Sequence, residues 1–259
     1  MLTPVQCDQI DVVLVSPRNP LNIGAAARAM ANFGFHRLAI VAPFAHNWME
    51  AKSAVGAPDL LRDAKVYDTL AEAVAHSTLV LGTGSLDRRK PVQAIWTLPE
   101  AATRIRETLI IHENSARQGG IALVFGSEKH GLTTEDLSWC HALIAIDTCD
   151  AQPSMNLGQA VAVCLYEISR NPETDANAEK SRPNPPTGSA ASQQLDRLAA
   201  LVEETMEAVN YSTRGIRSAN GEALRVLLRR LMPNDGDLRR MMGLFRRILW
   251  QLARSRDKV

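Results

Sequence analysis

Four cysteines are all that 259 residues contain, and their spacing fits no common use of the thiol. Cys7, Cys140, Cys149 and Cys164 form no C-x-x-C pair and no metal-ligand pattern. They fit a reducing compartment without structural disulfides. The six histidines show no ligand spacing either, so no metal is expected. No apolar run approaches the length of a membrane span. The first residues are polar and lead into a strand, unlike a signal peptide. These absences place the chain in the cytoplasm. Two phosphate-binding fingerprints are missing as well. Gly82-Thr83-Gly84-Ser85 lacks the third glycine of the dinucleotide motif. Gly126 and Gly131 have P-loop spacing, but Leu132-Thr133 stands where Lys-Ser/Thr must follow. Internal repeats are absent.

What is present is an ordinary globular composition, 46% apolar and 22% charged, enough for a sizeable core. The formal net charge is +1, unevenly spread. Residues 1–192 carry 16 basic and 20 acidic side chains, a net of −4. Residues 193–259 carry 13 and 8, a net of +5. A basic tail on an acidic body suits an anionic partner or, equally, a solvated helix face.

Apolar runs at Ile10–Val15, Leu38–Ala42, Thr78–Leu81, Ile121–Phe125 and Ala142–Ile146 read as buried strands. Helical patterns separate them. One starts near Asn22, which can cap it, is rich in alanine, carries Arg28 as its only charge and stops near Gly34. Residues 44–77 read as helix and loop with a short strand around Val66. Residues 98–117 and the stretch up to Arg170 read as helices. The alternation predicts an α/β fold with a mostly parallel sheet covered on both faces. Asn171 to Ser192 holds Pro172, Pro183, Pro185 and Pro186 among polar residues and reads as a linker. From Gln193 on, three helical patterns follow. They are marked by Leu195–Val209, by Leu224, Leu227, Leu228 and Leu231, and by Leu238–Leu252; Asn210 to Gly221 breaks the first from the second. Met241-Met242 and the leucine stripe read as core. The domain division is therefore 1–170, a linker at 171–192, and a small all-α extension at 193–259. A bundle that small must lean on the main domain or on a second subunit.

Chemistry concentrates where strand ends meet loops, the usual ligand position in open α/β sheets. Glu128, between Gly126 and Gly131, is a solvated loop carboxylate or a functional one. Ser154 caps the helix that follows, or Asn156 does, and a ligand can share the same helix start. Cys140, Cys149 and Cys164 read as core residues.

The order of three motifs is more specific than any of them alone. Asn22-x-Gly24-x-x-x-Arg28, Phe125-Gly126-x-Glu128-x-x-Gly131-Leu132 and Ser154-Met155-Asn156-Leu157 resemble the motifs of the SPOUT class of RNA methyltransferases. Within it the chain is similar to the TrmH/TrmJ group of ribose 2′-O-methyltransferases, and its linker and tail most resemble the TrmJ branch. The resemblance implies a SPOUT domain with a deep C-terminal trefoil knot, a homodimer, and S-adenosylmethionine as methyl donor. It implies methylation of a ribose in tRNA, at nucleotide 32 of the anticodon loop. By match, Thr83, Gly84, Ser85, Gly126, Ile146, Pro153, Ser154 and Met155 hold the cofactor. Arg28, Asn22, Glu128, Ser154 and Asn156 form the catalytic set. The small residues around Arg28 suit close approach to the partner's cofactor site. Arginine is effectively never deprotonated, so Arg28 is expected to hold a phosphate and favour the developing alkoxide. Arg18, Arg88, Arg89, Lys90 and the arginine-rich tail are expected to contact RNA phosphates. Two departures from the pattern stand out. Cys149-Asp150-Ala151-Gln152-Pro153 lacks the aromatic often found there, and Met155 replaces a leucine. Methylation of another RNA, a silent RNA-binding protein, and a dehydrogenase are the competing readings; the missing dinucleotide motif argues against the last.

Overall fold

The computed structural model describes residues 1–44, 48–50, 53–54, 56–84, 91–114, 119–170, 190–211 and 217–256. In chain order the elements are α1 (Pro4–Cys7), β1 (Ile10–Val15), α2 (Pro20–Phe33) and β2 (Arg37–Val41). A 3-10 turn at Trp48–Glu50 precedes α3 (Pro58–Arg62), β3 (Lys65–Tyr67), α4 (Leu70–Ala73) and β4 (Ser77–Thr83). Then come β5 (Ala94–Thr97), α5 (Leu98–Asn114), β6 (Gly120–Phe125), α6 (Thr134–Ser138), β7 (Ala142–Ala145) and α7 (Leu157–Ser169). The tail holds α8 (Ser192–Ala208), α9 (Arg217–Leu231) and α10 (Asp235–Arg256). The break expected to reach Gly221 therefore ends by Arg217, because α9 takes in polar residues ahead of its first leucine.

Among the described residues seven strands form one sheet in the order β3-β2-β1-β6-β4-β7-β5, and all of their pairings are parallel. Parallel strands need both faces covered, which explains why their sequences are apolar throughout. In β1, Ile10, Val12 and Leu14 enter one core layer, and Val13 and Val15 enter the other. β6 divides the same way, Ile121, Leu123 and Phe125 against Ala122 and Val124. The larger layer is closed by α2, α5 and α7 through Ile23, Met30, Ile105, Leu109, Val161 and Leu165. The smaller is closed by Leu70 and Val74 around α4, with Leu132 and Leu137. Each such aliphatic side chain, fully buried, contributes roughly 1.5–3 kcal/mol.

The tail docks on its own chain. α8, α9 and α10 share a third core of Leu195, Leu198, Ala199, Leu228 and Leu238. Ser192 donates to the Ser77 carbonyl (2.9 Å) and the Gln193 amide to the Ala75 carbonyl (3.0 Å), at the start of β4. From α9, Arg225 Nε donates to Ser138 Oγ (3.2 Å) and Arg229 Nε to the Trp139 carbonyl (3.0 Å), just before β7. Arg229 is fully buried and pairs with Asp196 of α8 at 2.8 Å. The tail thus sits at the amino ends of β4 and β7. Of the leucine stripe only Leu228 is buried; Leu227 and Leu231 are exposed and Leu224 is half-buried. Met241 and Met242 pack only partly against the third core. The expectation of a buried stripe is corrected here: α9 has one packed face and one facing solvent.

Beside Arg229 lies His141, also sealed from water. The Val80 amide donates to His141 Nδ1 at 3.0 Å, so the ring's proton sits on Nε2. Among the described residues, neither His141 Nε2 nor Arg229 Nη1, both buried, has a hydrogen-bond partner. Burial first, and then the Arg229 charge, push the His141 pKa down to about 3, so the ring is neutral. Among the described residues no helix is long and apolar enough to cross a membrane.

Candidate active site

At the carboxyl end of the sheet two adjacent strands finish in the left-handed backbone region on non-glycine residues. Ser16 after β1 has φ 46° and Ala42 after β2 has φ 43°. Each such residue costs on the order of 1 kcal/mol and persists only where its neighbours fix it. The fixing bonds are Ser16 N to Val41 O (2.8 Å) and Ala42 N to Tyr67 O (2.9 Å). The bends bring the two loops together, and Phe44 N donates to Pro17 O at 3.2 Å. Asn19 then caps α2, accepting from Leu21 N at 3.0 Å, with Pro20 in the first turn. This corrects the expectation that Asn22 is the cap. Proline at the first helical position marks the residue before it as the cap, a cue present in the sequence.

Asn22 is left free for a different task. Glu128 Oε1 accepts from the Asn22 side-chain amide (3.0 Å) and from Asn19 N (3.0 Å), and Oε2 accepts from Arg18 N (2.9 Å). Asn22 Oδ1 in turn accepts from Asn156 Nδ2 at 2.9 Å. Asn156 Oδ1 caps α7 through Gly158 N (3.0 Å) and Gln159 N (3.4 Å). One chain of hydrogen bonds therefore joins all three sequence motifs, and each amide has a single orientation that serves both neighbours. Burial raises the Glu128 carboxyl pKa. The bonds from Asn22, Asn19 and Arg18 outweigh it and leave the pKa below the usual glutamate value.

The loop that carries Glu128 folds back on itself. Gly131 N donates to Ser127 O at 2.8 Å, and Gly131 has φ 65°. A Cβ on Gly126 would stand 2.1 Å from the Gly131 carbonyl carbon, so only glycine fits there. The small residues of α2 also have an internal reason. A Cβ on Gly158 of α7 would lie 2.6 Å from the Ala25 Cβ, so α2 and α7 of the same chain approach closely. Ala26, Ala27 and Ala29 are buried, whereas Arg28 is exposed and stands outside the Glu128 chain.

Thr83, Gly84, Gly126 and Ile146 gather at three neighbouring strand ends. Thr83 of β4 is level with Phe125 of β6 and Ile144 of β7. This brings Gly84, Gly126 and Ile146 to one edge. Thr83 is buried, its hydroxyl donating to Val124 O at 3.1 Å. Thr148 donates to Pro153 O at 3.2 Å and folds the 147–155 segment over. Pro153 and Ser154 are exposed and Met155 half-buried. Asn156, not Ser154, is the cap. Arg18 is exposed, its guanidinium 4.5 Å above the Phe44 ring. Ser85, Arg88, Arg89 and Lys90 lie outside the described residues, as does most of the linker. Burial pushes the thiols of Cys140 and Cys164 up to about 12, which makes them poor nucleophiles; Cys149 is exposed, contrary to its reading as core.

A model described as the SpoU rRNA Methylase family matches residues 9–166. The tRNA (cytidine/uridine/adenosine-2'-O-)-methyltransferase TrmJ of Pseudomonas aeruginosa is 43% identical over 166 residues, 62% of this chain and 60% of that one. The match thus spans less than two thirds of that relative. The tRNA (cytidine/uridine-2'-O-)-methyltransferase TrmJ of Cronobacter sakazakii is 31% identical over 242 residues, 91% of this chain and 94% of its own length. Among solved structures, the crystal structure of TrmJ from Z. mobilis ZM4 superposes with a TM-score of 0.76 at 28% identity, covering 92% of this chain and 98% of that one. The chain belongs to the SpoU methylase family.

Proposed function

We propose that this protein methylates a ribose 2′-hydroxyl of tRNA with S-adenosylmethionine as donor, at nucleotide 32 of the anticodon loop. The observation that carries the reading is the continuous Glu128–Asn22–Asn156 chain. It ties the three methyltransferase motifs into one rigid edge where the strands end. Relatives that share this chain's length bear the name of tRNA 2′-O-methyltransferases.

The residues fit the donor. Gly84 has no positive φ, and a Cβ there would meet nothing within 4 Å. Among the described residues nothing fills that space, which leaves room for a ligand at the strand end. Gly84, Gly126, Ile146 and Pro153–Met155 would hold it. When bound, S-adenosylmethionine supplies an electrophilic methyl group on a sulfonium.

The chain's own part is to position the ribose and favour negative charge on its 2′-oxygen. Glu128 is a poor base for this, because its oxygens already accept three N–H bonds and its pKa is lowered. It acts as a brace for Asn22 and for the start of α2. Arg28 remains a cation, holds the adjoining phosphate and stabilises the developing alkoxide, while the hydroxyl proton leaves to solvent. Ser154 and Asn156 line the same edge. The exposure of Arg28, apart from its own Glu128 chain, supports a homodimer in which it serves the partner's site. The knot of the SPOUT class belongs to this reading. Residues 193–259 form the RNA-binding and dimer-supporting extension, joined through 171–192. We place the protein in the cytoplasm with its tRNA.

The test is incubation with total tRNA and radiolabelled S-adenosylmethionine, followed by mapping of the labelled nucleotide. Label on the ribose of nucleotide 32 is expected. Label on ribosomal RNA or on another tRNA ribose overturns the position, and no label on any RNA overturns the activity.

A further inference from the structure

We propose that Phe44 and Arg18 form a stacking platform for one unpaired nucleobase of the substrate RNA, next to the ribose being methylated. The inference rests on the proposed RNA methylation and adds a base-holding subsite to it.

Phe44 is 69% exposed. A single apolar side chain in water is common and needs no explanation by itself. Here the ring is paired and fixed. The Arg18 guanidinium lies 4.5 Å from its centroid, stacked over the ring. Both residues are held at the backbone, Phe44 through Pro17 O and Arg18 through Glu128 Oε2. The left-handed turns at Ser16 and Ala42 aim the two loops at each other. The chain thus maintains strained backbone to keep a flat, cationic and aromatic surface in solvent.

The location selects the occupant. In the sheet order, β1 lies between β2 and β6, and the end of β6 belongs to the proposed donor pocket. The platform occupies the ends of β1 and β2, the next surface along the same edge. Glu128 binds Arg18 N with one oxygen and Asn22 with the other, so the platform and the catalytic motifs share one carboxylate. An RNA with its ribose at the motifs carries a neighbouring nucleotide across this surface. Unpaired bases are held by stacking on aromatic rings and guanidinium planes. This revises the role of Arg18, whose planar face is committed to stacking rather than to a phosphate.

The experiment compares steady-state methylation of tRNA by wild type, Phe44→Ala, Phe44→Trp and Arg18→Ala. Arg18→Ala keeps the main-chain bond to Glu128. Phe44→Ala is expected to raise KM for tRNA about tenfold with kcat little changed, and Phe44→Trp to restore it. Affinity for S-adenosylmethionine, read by calorimetry, is expected to be the same in all four. An RNA with an abasic ribose beside the methylated nucleotide is expected to reproduce the loss in wild type and add nothing in Phe44→Ala. A wild type that methylates tRNA with the same KM as Phe44→Ala overturns the platform alone. An equal Phe44→Ala penalty on every abasic RNA overturns it too. A wild type that neither binds nor methylates RNA overturns both this inference and the activity beneath it.

Discussion

The two ends of the central sheet solve the same problem with opposite means. At the amino ends of β4 and β7 the tail is held by Arg229, a cation removed from water and bonded to the Trp139 carbonyl and Asp196. At the carboxyl ends the loops are held by Glu128, an anion near the surface that gathers main-chain amides and Asn22. Each uses one charge to collect distant segments. The sealed end gains rigidity and depends heavily on the Arg229–Asp196 ion pair, because an unmatched buried charge is expensive. The open end loses little stability if its charge is removed, yet it keeps its polar groups within reach of a substrate. The buried cation and the exposed anion thus stand at opposite ends of one sheet.

Arg229→Met tests the contrast most severely. It leaves Asp196 and the Trp139 carbonyl without their partner, and about 3 kcal/mol of stability is expected to go, read by urea unfolding. Detachment of the tail is expected to show as faster proteolysis. A loss under about 1 kcal/mol would remove the claim that the amino end depends on this residue.

Next is the pH dependence of His141. Its pKa is depressed in the folded chain, so the unfolded chain takes up the proton first as pH falls. Stability is complete above about pH 6.5 and is lost progressively toward pH 3, at about 1.4 kcal/mol per unit. Between pH 6.5 and 5 the wild type is expected to lose about 2 kcal/mol more than His141→Gln. Parallel slopes for the two proteins would mean the ring is not held neutral.

Gly158→Ala probes the seam between α2 and α7, which serves both ends. The added methyl meets Ala25, and a cost of about 1–2 kcal/mol is expected, relieved by Ala25→Gly. Thermal unfolding of the double variant decides whether the contact is the cause.

Glu128→Gln is expected to change stability least, by about 1 kcal/mol or less, because the site is open to solvent. Methyl transfer is expected to fall far more than stability does. Since the carboxyl pKa lies below its ordinary value, its contribution is present at neutral pH and is lost only in acid, as the pH falls through the folded pKa. Equal losses in activity and stability would erase the distinction between the two ends.

The central strands were legible because parallel β-strands must be apolar on both faces, and Ile10–Val15 and Ile121–Phe125 are. The motif residues Asn22, Glu128 and Asn156 were legible through their order. Their bonding was not, because it joins side chains from three separate loops. β5 escaped notice because four residues of an edge strand give too little pattern. α4 and α6 escaped a periodic reading for the same reason, although Thr69 with Glu72 and Thr133 with Asp136 are capping boxes. Asn19 was readable from the proline after it. Arg229 was not: in sequence it is one arginine among several in a basic helix, and only docking reveals that it is buried.

The Asn22–Asn156 bond spans 134 residues. A nascent chain exposes the segments of β1, β2 and β6 before Asn156, and contacts this remote in sequence form late. An abortive product ending before α7 would retain most of the hydrophobic layers yet carry no assembled reaction edge. Cells would then hold few half-made molecules in which that edge is complete.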